Sequence, residues 1–120
     1  MAASTVPILT LSAYGTQALS YGAGNVALAI DGTDGALLTP TKKDEKILLQ
    51  INVVTGATVT INKGNGLQGV ADWSETLTAS RTYYVAIESG PYLNVSGTNK
   101  GKIFIESTQA DTTILAIQLP

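Results

Sequence analysis

The chain has no His and no Cys. That removes the commonest general base and the thiol nucleophile before any pattern is read. Acid–base work would fall to carboxylates. Asp72 and Glu75 are three residues apart, so an extended strand would place them on opposite faces. Glu88 and Glu106 could meet only if distant strands converged, as a glycosidase pair requires. With no cleft signal around either, both read as surface charge. No catalytic residues are assigned, and the expectation is that the protein is not an enzyme.

Three motifs carry chemistry elsewhere. Gly64-Asn65-Gly66-Leu67-Gln68-Gly69 fits G-x-G-x-x-G and follows an apolar run. A dinucleotide site also needs those glycines to open a helix whose amides hold the pyrophosphate. Val70-Ala71-Asp72-Trp73 and a threonine-rich stretch follow instead, so the segment reads as a sharp corner. Asp31-Gly32-Thr33-Asp34-Gly35 resembles part of a calcium loop. Calcium takes six to eight oxygens, usually with a later bidentate carboxylate. Asp44 and Glu45 are the later candidates, and Pro40 breaks their spacing. Two successive turns are the plainer reading, and no metal ligand is assigned. Asn94-Val95-Ser96 fits the N-glycosylation pattern, which matters only in a secretory pathway.

The elements that would position these groups are strands. In Lys46 to Val54 the residues Ile47, Leu49, Ile51 and Val53 share one face; Leu48, Gln50, Asn52 and Val54 share the other. A tight turn at Thr55-Gly56 follows. Ala57, Val59 and Ile61 then alternate with Thr58, Thr60 and Asn62. Period-two alternation marks half-buried strands. Further strands are expected at Val6 to Leu11, with Pro7 arguing for a sheet edge, and at Val26 to Ile30. Glu75 to Ala79 should turn Leu77 inward. A turn at Ala79-Ser80-Arg81 leads to Thr82 to Glu88, which groups Tyr83, Val85 and Ile87. Tyr92 to Val95 is a short strand. Lys102 to Glu106 places Ile103 and Ile105 inward and Phe104 outward. Thr112 to Leu119 groups Thr113, Leu115, Ile117 and Leu119. Leu37 and Leu38 should anchor the irregular loop from Asp31 to Asp44. Short strands at this spacing, without a helix, predict an all-β fold. The expected form is a single antiparallel β-sandwich or jelly-roll-like barrel of about eight strands. One domain spanning residues 1–120 is expected, with a short N-terminal arm from Met1 to about Ile8.

Composition narrows the function classes. The hydrophobic fraction of 44% supplies a core, whereas the charged fraction of 13% is well below the usual value of about 25%. The polar surface is therefore largely Thr, Ser, Asn and Gln. That suits strands and also a surface that meets other protein, because interface centres are poor in charge. Net charge is −2 with scattered basic residues, so there is no stripe to neutralise a phosphate backbone, and nucleic acid is not an expected partner. The lack of Cys suits a reducing cytosol. The N-terminus shows neither a basic segment nor a long apolar run, so no secretory signal is expected. No apolar stretch approaches ~20 residues, so no membrane span is expected either.

From Lys46 onward the chain resembles small head proteins of tailed phages, of the capsid decoration or head fibre type. The resemblance lies in an Asp-Gly segment, Asp31 to Leu38, before a strand of the Lys46 to Val53 kind. Val59-Thr60-Ile61, the Gly64 to Gly69 corner and Ala71-Asp72 follow. Glu88-Ser89-Gly90, Tyr92-Leu93-Asn94, Lys100 to Ile103 and the closing Leu115 to Leu119 complete it. The resemblance implies a β-sandwich that binds the outer surface of a major capsid protein shell and stabilises the head, without cofactor. It would place the protein on the virion exterior and, during assembly, in the host cytoplasm. Partners would be the major capsid protein and further copies of the chain, with a trimer as the candidate form. Residues expected at the capsid interface are Val6 and Ile8, on an edge strand able to add to a neighbouring sheet. Trp73, Tyr84 and Phe104 join them as aromatic anchors. The competing readings are a carbohydrate-binding or adhesin-like module, with Trp73 and tyrosines on one face, and a tail or baseplate subunit.

Overall fold

A computed structural model describes residues 4–10, 26–27, 35–40, 46–67, 69–109 and 111–119. Among these the fold is all β, two sheets packed face to face as a sandwich. It is not a closed barrel. The strands are β1 (Ser4–Thr5), β2 (Ile8–Thr10), β3 (Val26–Ala27), β4 (Ala36–Leu38), β5 (Lys46–Val53), β6 (Ala57–Ile61), β7 (Trp73–Leu77), β8 (Arg81–Glu88), β9 (Ile103–Ser107) and β10 (Thr113–Gln118). One sheet runs β1-β4-β9-β6-β7. The other runs β2-β10-β5-β8, with β3 also paired to β10. Most pairings are antiparallel, but β1 lies parallel to β4 and β2 parallel to β10.

The alternation in β5 sets the core. Ile47, Leu49, Ile51 and Val53 are all buried. Facing them from the other sheet are Leu38, Val59, Ile61, Ile103 and Ile105, also buried. The turn after β5 does not close a hairpin: β5 and β6 lie in different sheets. Each strand has one apolar face, and both faces can be buried together only if the chain crosses from one layer to the other. The same holds at Ala79-Ser80, where Ser80 takes φ 61°. That turn carries the chain from β7 in one sheet to β8 in the other.

Two sequence expectations change, and the inner face of β10, which the alternation left open, is set. In β10 it is Ile114, Ala116 and Gln118 that face inward, opposite Ile51, Leu49 and Ile47. Leu115 and Ile117 lie on the other face of β10, opposite Gln50 and Leu48, and Leu115 is buried there as well. Tyr92 to Val95 is not a strand. A 3-10 turn, Gly90–Tyr92, ends at the extended Leu93, and Pro91 sits in its first positions. Proline's fixed φ and missing N–H suit that place and not a ladder. Finally, Val6 is not offered to a partner. It is 2% exposed, donates its N–H to Leu37 O at 2.9 Å and joins the core between β1 and β2. The chain from Ser4 to Thr10 strings from the edge of one sheet to the edge of the other, so these residues are bound into the fold and are not a free arm. Pro7 lies between the two edge strands, at a position that needs no ladder donor.

Candidate interaction surface

The aromatic and N-terminal candidates do not share a face. Ile8 is half-buried against the core and pairs with Ala116. Trp73, opposite Ile61 on β7, is also packed on the core. Phe104 faces outward from the first sheet but is only half-exposed. Its ring lies over Gly35, whose φ is +56°, and a Cβ there would collide with the ring. Tyr84 alone is freely exposed, on the outer face of the second sheet, where its hydroxyl accepts from Gln50 Nε2 at 3.1 Å. Tyr83 is turned inward and its phenol oxygen accepts the Thr78 N–H at 2.9 Å. Trp73, Tyr83, Tyr84 and Tyr92 therefore form no single stacking strip. Tyr14 and Tyr21 lie outside the described residues.

Among the described residues the carboxylates do not converge. Glu88 is on the outer side of one sheet and Glu106 on the outer side of the other. Asp72 accepts the Lys63 N–H at 2.7 Å, a structural use. Among the described residues no group of three His, Cys, Asp or Glu side chains is placed to hold a metal. Asp31, Asp34, Asp44 and Glu45 lie outside them. A depression of about 180 Å³ is lined by Lys46, Ala86, Ile87 and Glu88. That is below the roughly 300 Å³ at which small-molecule pockets begin. Asn94 of the glycosylation pattern is part-buried, with Nδ2 donating to Lys102 O at 3.1 Å.

The glycine-rich corner is where the structure departs furthest from an ordinary loop. Gly64 donates its N–H to Pro91 O at 2.9 Å. A Cβ on Gly64 would fall on the carbonyl oxygen of Leu93, and one on Gly69 on the carbonyl oxygen of Gly64. Here glycine is required because backbone meets backbone. Asn65 ties the same two loops with its side chain: Nδ2 donates to Ser96 O at 3.0 Å, and Oδ1 accepts the Val95 N–H at 2.7 Å. Gly69 N–H closes a turn to Gly66 O at 3.1 Å. Behind them, the Asn94 N–H donates to Lys102 O at 3.0 Å, and Gly101 N–H reaches Asn94 O at 2.7 Å.

The clamp presents aliphatic side chains to solvent. Leu67 is fully exposed, Val70 is 80% exposed and Val95 is 53% exposed. Val95 lies beside Gly66, 3.1 Å from where its Cβ would stand, so it adjoins the Leu67 turn. Single exposed aliphatics are ordinary; three in or beside one hydrogen-bonded corner are less so. Sequence reasoning missed these three. The available signal was Leu67 itself, an aliphatic residue held between glycines in a segment too short to bury it. No protein-family model matches the chain, and neither a curated protein nor a solved structure shows significant similarity to it.

Proposed function

We propose that the protein is a viral structural protein, a capsid decoration protein that binds the outer surface of the major capsid protein shell and stabilises the head. The observation that carries the proposal is the clamped corner with Leu67, Val70 and Val95 exposed. It is tied by backbone and Asn65 hydrogen bonds, and these exposed side chains are aliphatic, so it is suited to fill a recess between coat subunits. The likeness of the chain from Lys46 onward to phage head proteins points the same way. Binding would be additive. A standard interface of ~1,600 Å² holds a partner tightly when its centre is well packed. Copies gathered round a symmetry axis would add to this through effective concentration. A corner already fixed by Asn65 and the glycines loses little entropy on docking.

A carbohydrate-binding module gains nothing from this geometry, because the described aromatics do not line one face. A tail or baseplate subunit would share the architecture, since a sandwich hosts many roles. The test is co-sedimentation with purified heads of the phage that carries this chain, using wild type and the double variant L67D/V70D. Wild type should pellet with heads. The variant should keep its circular dichroism and lose affinity by about a hundredfold, from two aliphatic contacts worth ~1.5 kcal/mol each. Wild type that stays in the supernatant overturns the proposal. Equal pelleting of both proteins removes the corner from it.

A further inference from the structure

Every sheet has edges, and proteins usually guard them with short strands or charges. Among the described residues four strands end the main paths of the two sheets, and the two-residue β3 lies off them on β10. β1 and β2 are two and three residues long. β7 has five and carries Glu75 at its centre. Glu75 stands opposite the buried Val59, so it is on the core-side face, an inward charge that blocks addition of another strand. The fourth, β8, is different. It is eight residues long, pairs with β5 along its whole length, and has no other partner among the described residues. Its charges, Arg81 and Glu88, are confined to the two ends. Between them Thr82, Tyr83, Tyr84, Val85, Ala86 and Ile87 are uncharged and free of Pro and Gly.

We infer that β8 pairs with β8 of a second copy, antiparallel about a two-fold axis through Val85. Symmetry restricts the register. A two-fold axis perpendicular to the sheet keeps each face on its own side, so residues directly opposite must share a face. Centring on Val85 sets Val85 against Val85 and Tyr83 against Ile87 on the core side. These positions are opposite Leu49, Ile51 and Ile47 of β5, and Tyr83 and Val85 are only half-covered in the single chain. The partner's matching residues complete that cover. On the outer side Tyr84 meets Ala86, large against small, and Thr82 meets Glu88. No like charges face each other. The neighbouring register, centred on Tyr84, would instead set Arg81 against the apolar Ile87. Along the main path the second sheet grows from four strands to eight, within the span that twisted sheets sustain. The edge gives a pair and not a trimer, and it does so whether or not the chain binds a shell.

Sedimentation equilibrium of the purified chain tests the association. The expected result is a concentration-dependent rise to twice the monomer mass. The absence of native Cys lets single substitutions test the register. Residues opposite themselves bring Cα atoms to about 4.5–5.5 Å, within disulfide reach. V85C should cross-link to a dimer under mild oxidation; T82C and Y84C should stay at background. A monomer at all concentrations overturns the inference, as does cross-linking of Y84C in place of V85C. To separate lost pairing from lost folding, V85K and V85E are each expected to be monomeric, and their mixture to recover the dimer. A mixture that stays monomeric, with both chains folded by circular dichroism, also overturns it.

Discussion

Asn65 is the side chain on which the exposed corner depends. Asn65→Ala removes a bond to Ser96 O at 3.0 Å and one from the Val95 N–H at 2.7 Å. Both are solvent-exposed, so each belongs at the lower end of the range for a net hydrogen bond, about 0.5–1 kcal/mol. The expected loss is therefore about 1–2 kcal/mol. For a domain of this length, unfolding entropy scales that to a fall in Tm of roughly 4–8 °C. The local signature is more specific. The Val95 amide should lose its protection and exchange faster, while amides of the central β5 ladder change only with global stability. Asn65→Asp keeps an acceptor for the Val95 N–H but no donor for Ser96 O, so Val95 should stay protected. Affinity for heads should fall in N65A although Leu67, Val70 and Val95 are untouched, because the corner must then be ordered on binding. An N65A protein with unchanged Tm and an equally protected Val95 amide would refute the claim that this side chain holds the corner.

Two further perturbations probe the same framework. Gly64→Ala directs a methyl group at the Leu93 carbonyl oxygen. Backbone cannot yield as a side chain end can, so a loss of about 3 kcal/mol or more is expected in denaturant unfolding; a loss below that of N65A would contradict the close approach. Tyr83 should ionise below the ordinary tyrosine value in an alkaline titration read by ultraviolet difference spectra of wild type against Y83F. Hydrogen bonds from the Thr78 side chain and then its backbone N–H favour the phenolate, lowering the pKa from 10.0, with a smaller contribution from Arg81 and an opposing one from burial. Between the lowered value and 10.0 the unfolded chain holds a proton that the folded chain has released, so stability relative to Y83F should rise with pH through that window. Below it the two phenols are both neutral and this advantage vanishes; a stability gap that narrows as pH rises would reverse the assignment.

The alternation of Ile47, Leu49, Ile51 and Val53 with Leu48, Gln50 and Asn52 was sufficient to place β5 and its buried face, because a strand's side-chain period is local. The same is true of Val59 and Ile61, of Leu77, and of Ile103 and Ile105. Aliphatic content with few charges, and no His or Cys, fixed the class of chemistry that could be considered. Tertiary structure alone decided how the strands are shared between layers. Both tight turns, after β5 and after β7, join strands of different sheets, since burying two apolar faces against each other outweighs pairing neighbours in sequence. It also decided which face of β10 is inner. Leu115 and Ile117 are as apolar as Ile114 and Ala116, so only register with β5 distinguishes them. Val6 reads as an arm residue until two parallel edge pairings enclose it. Leu67 reads as a loop residue until contact between Gly64 and Leu93 fixes the corner and leaves the side chain no core to enter. Period and composition are properties of neighbours along the chain; enclosure, register and free edges depend on residues far apart in it.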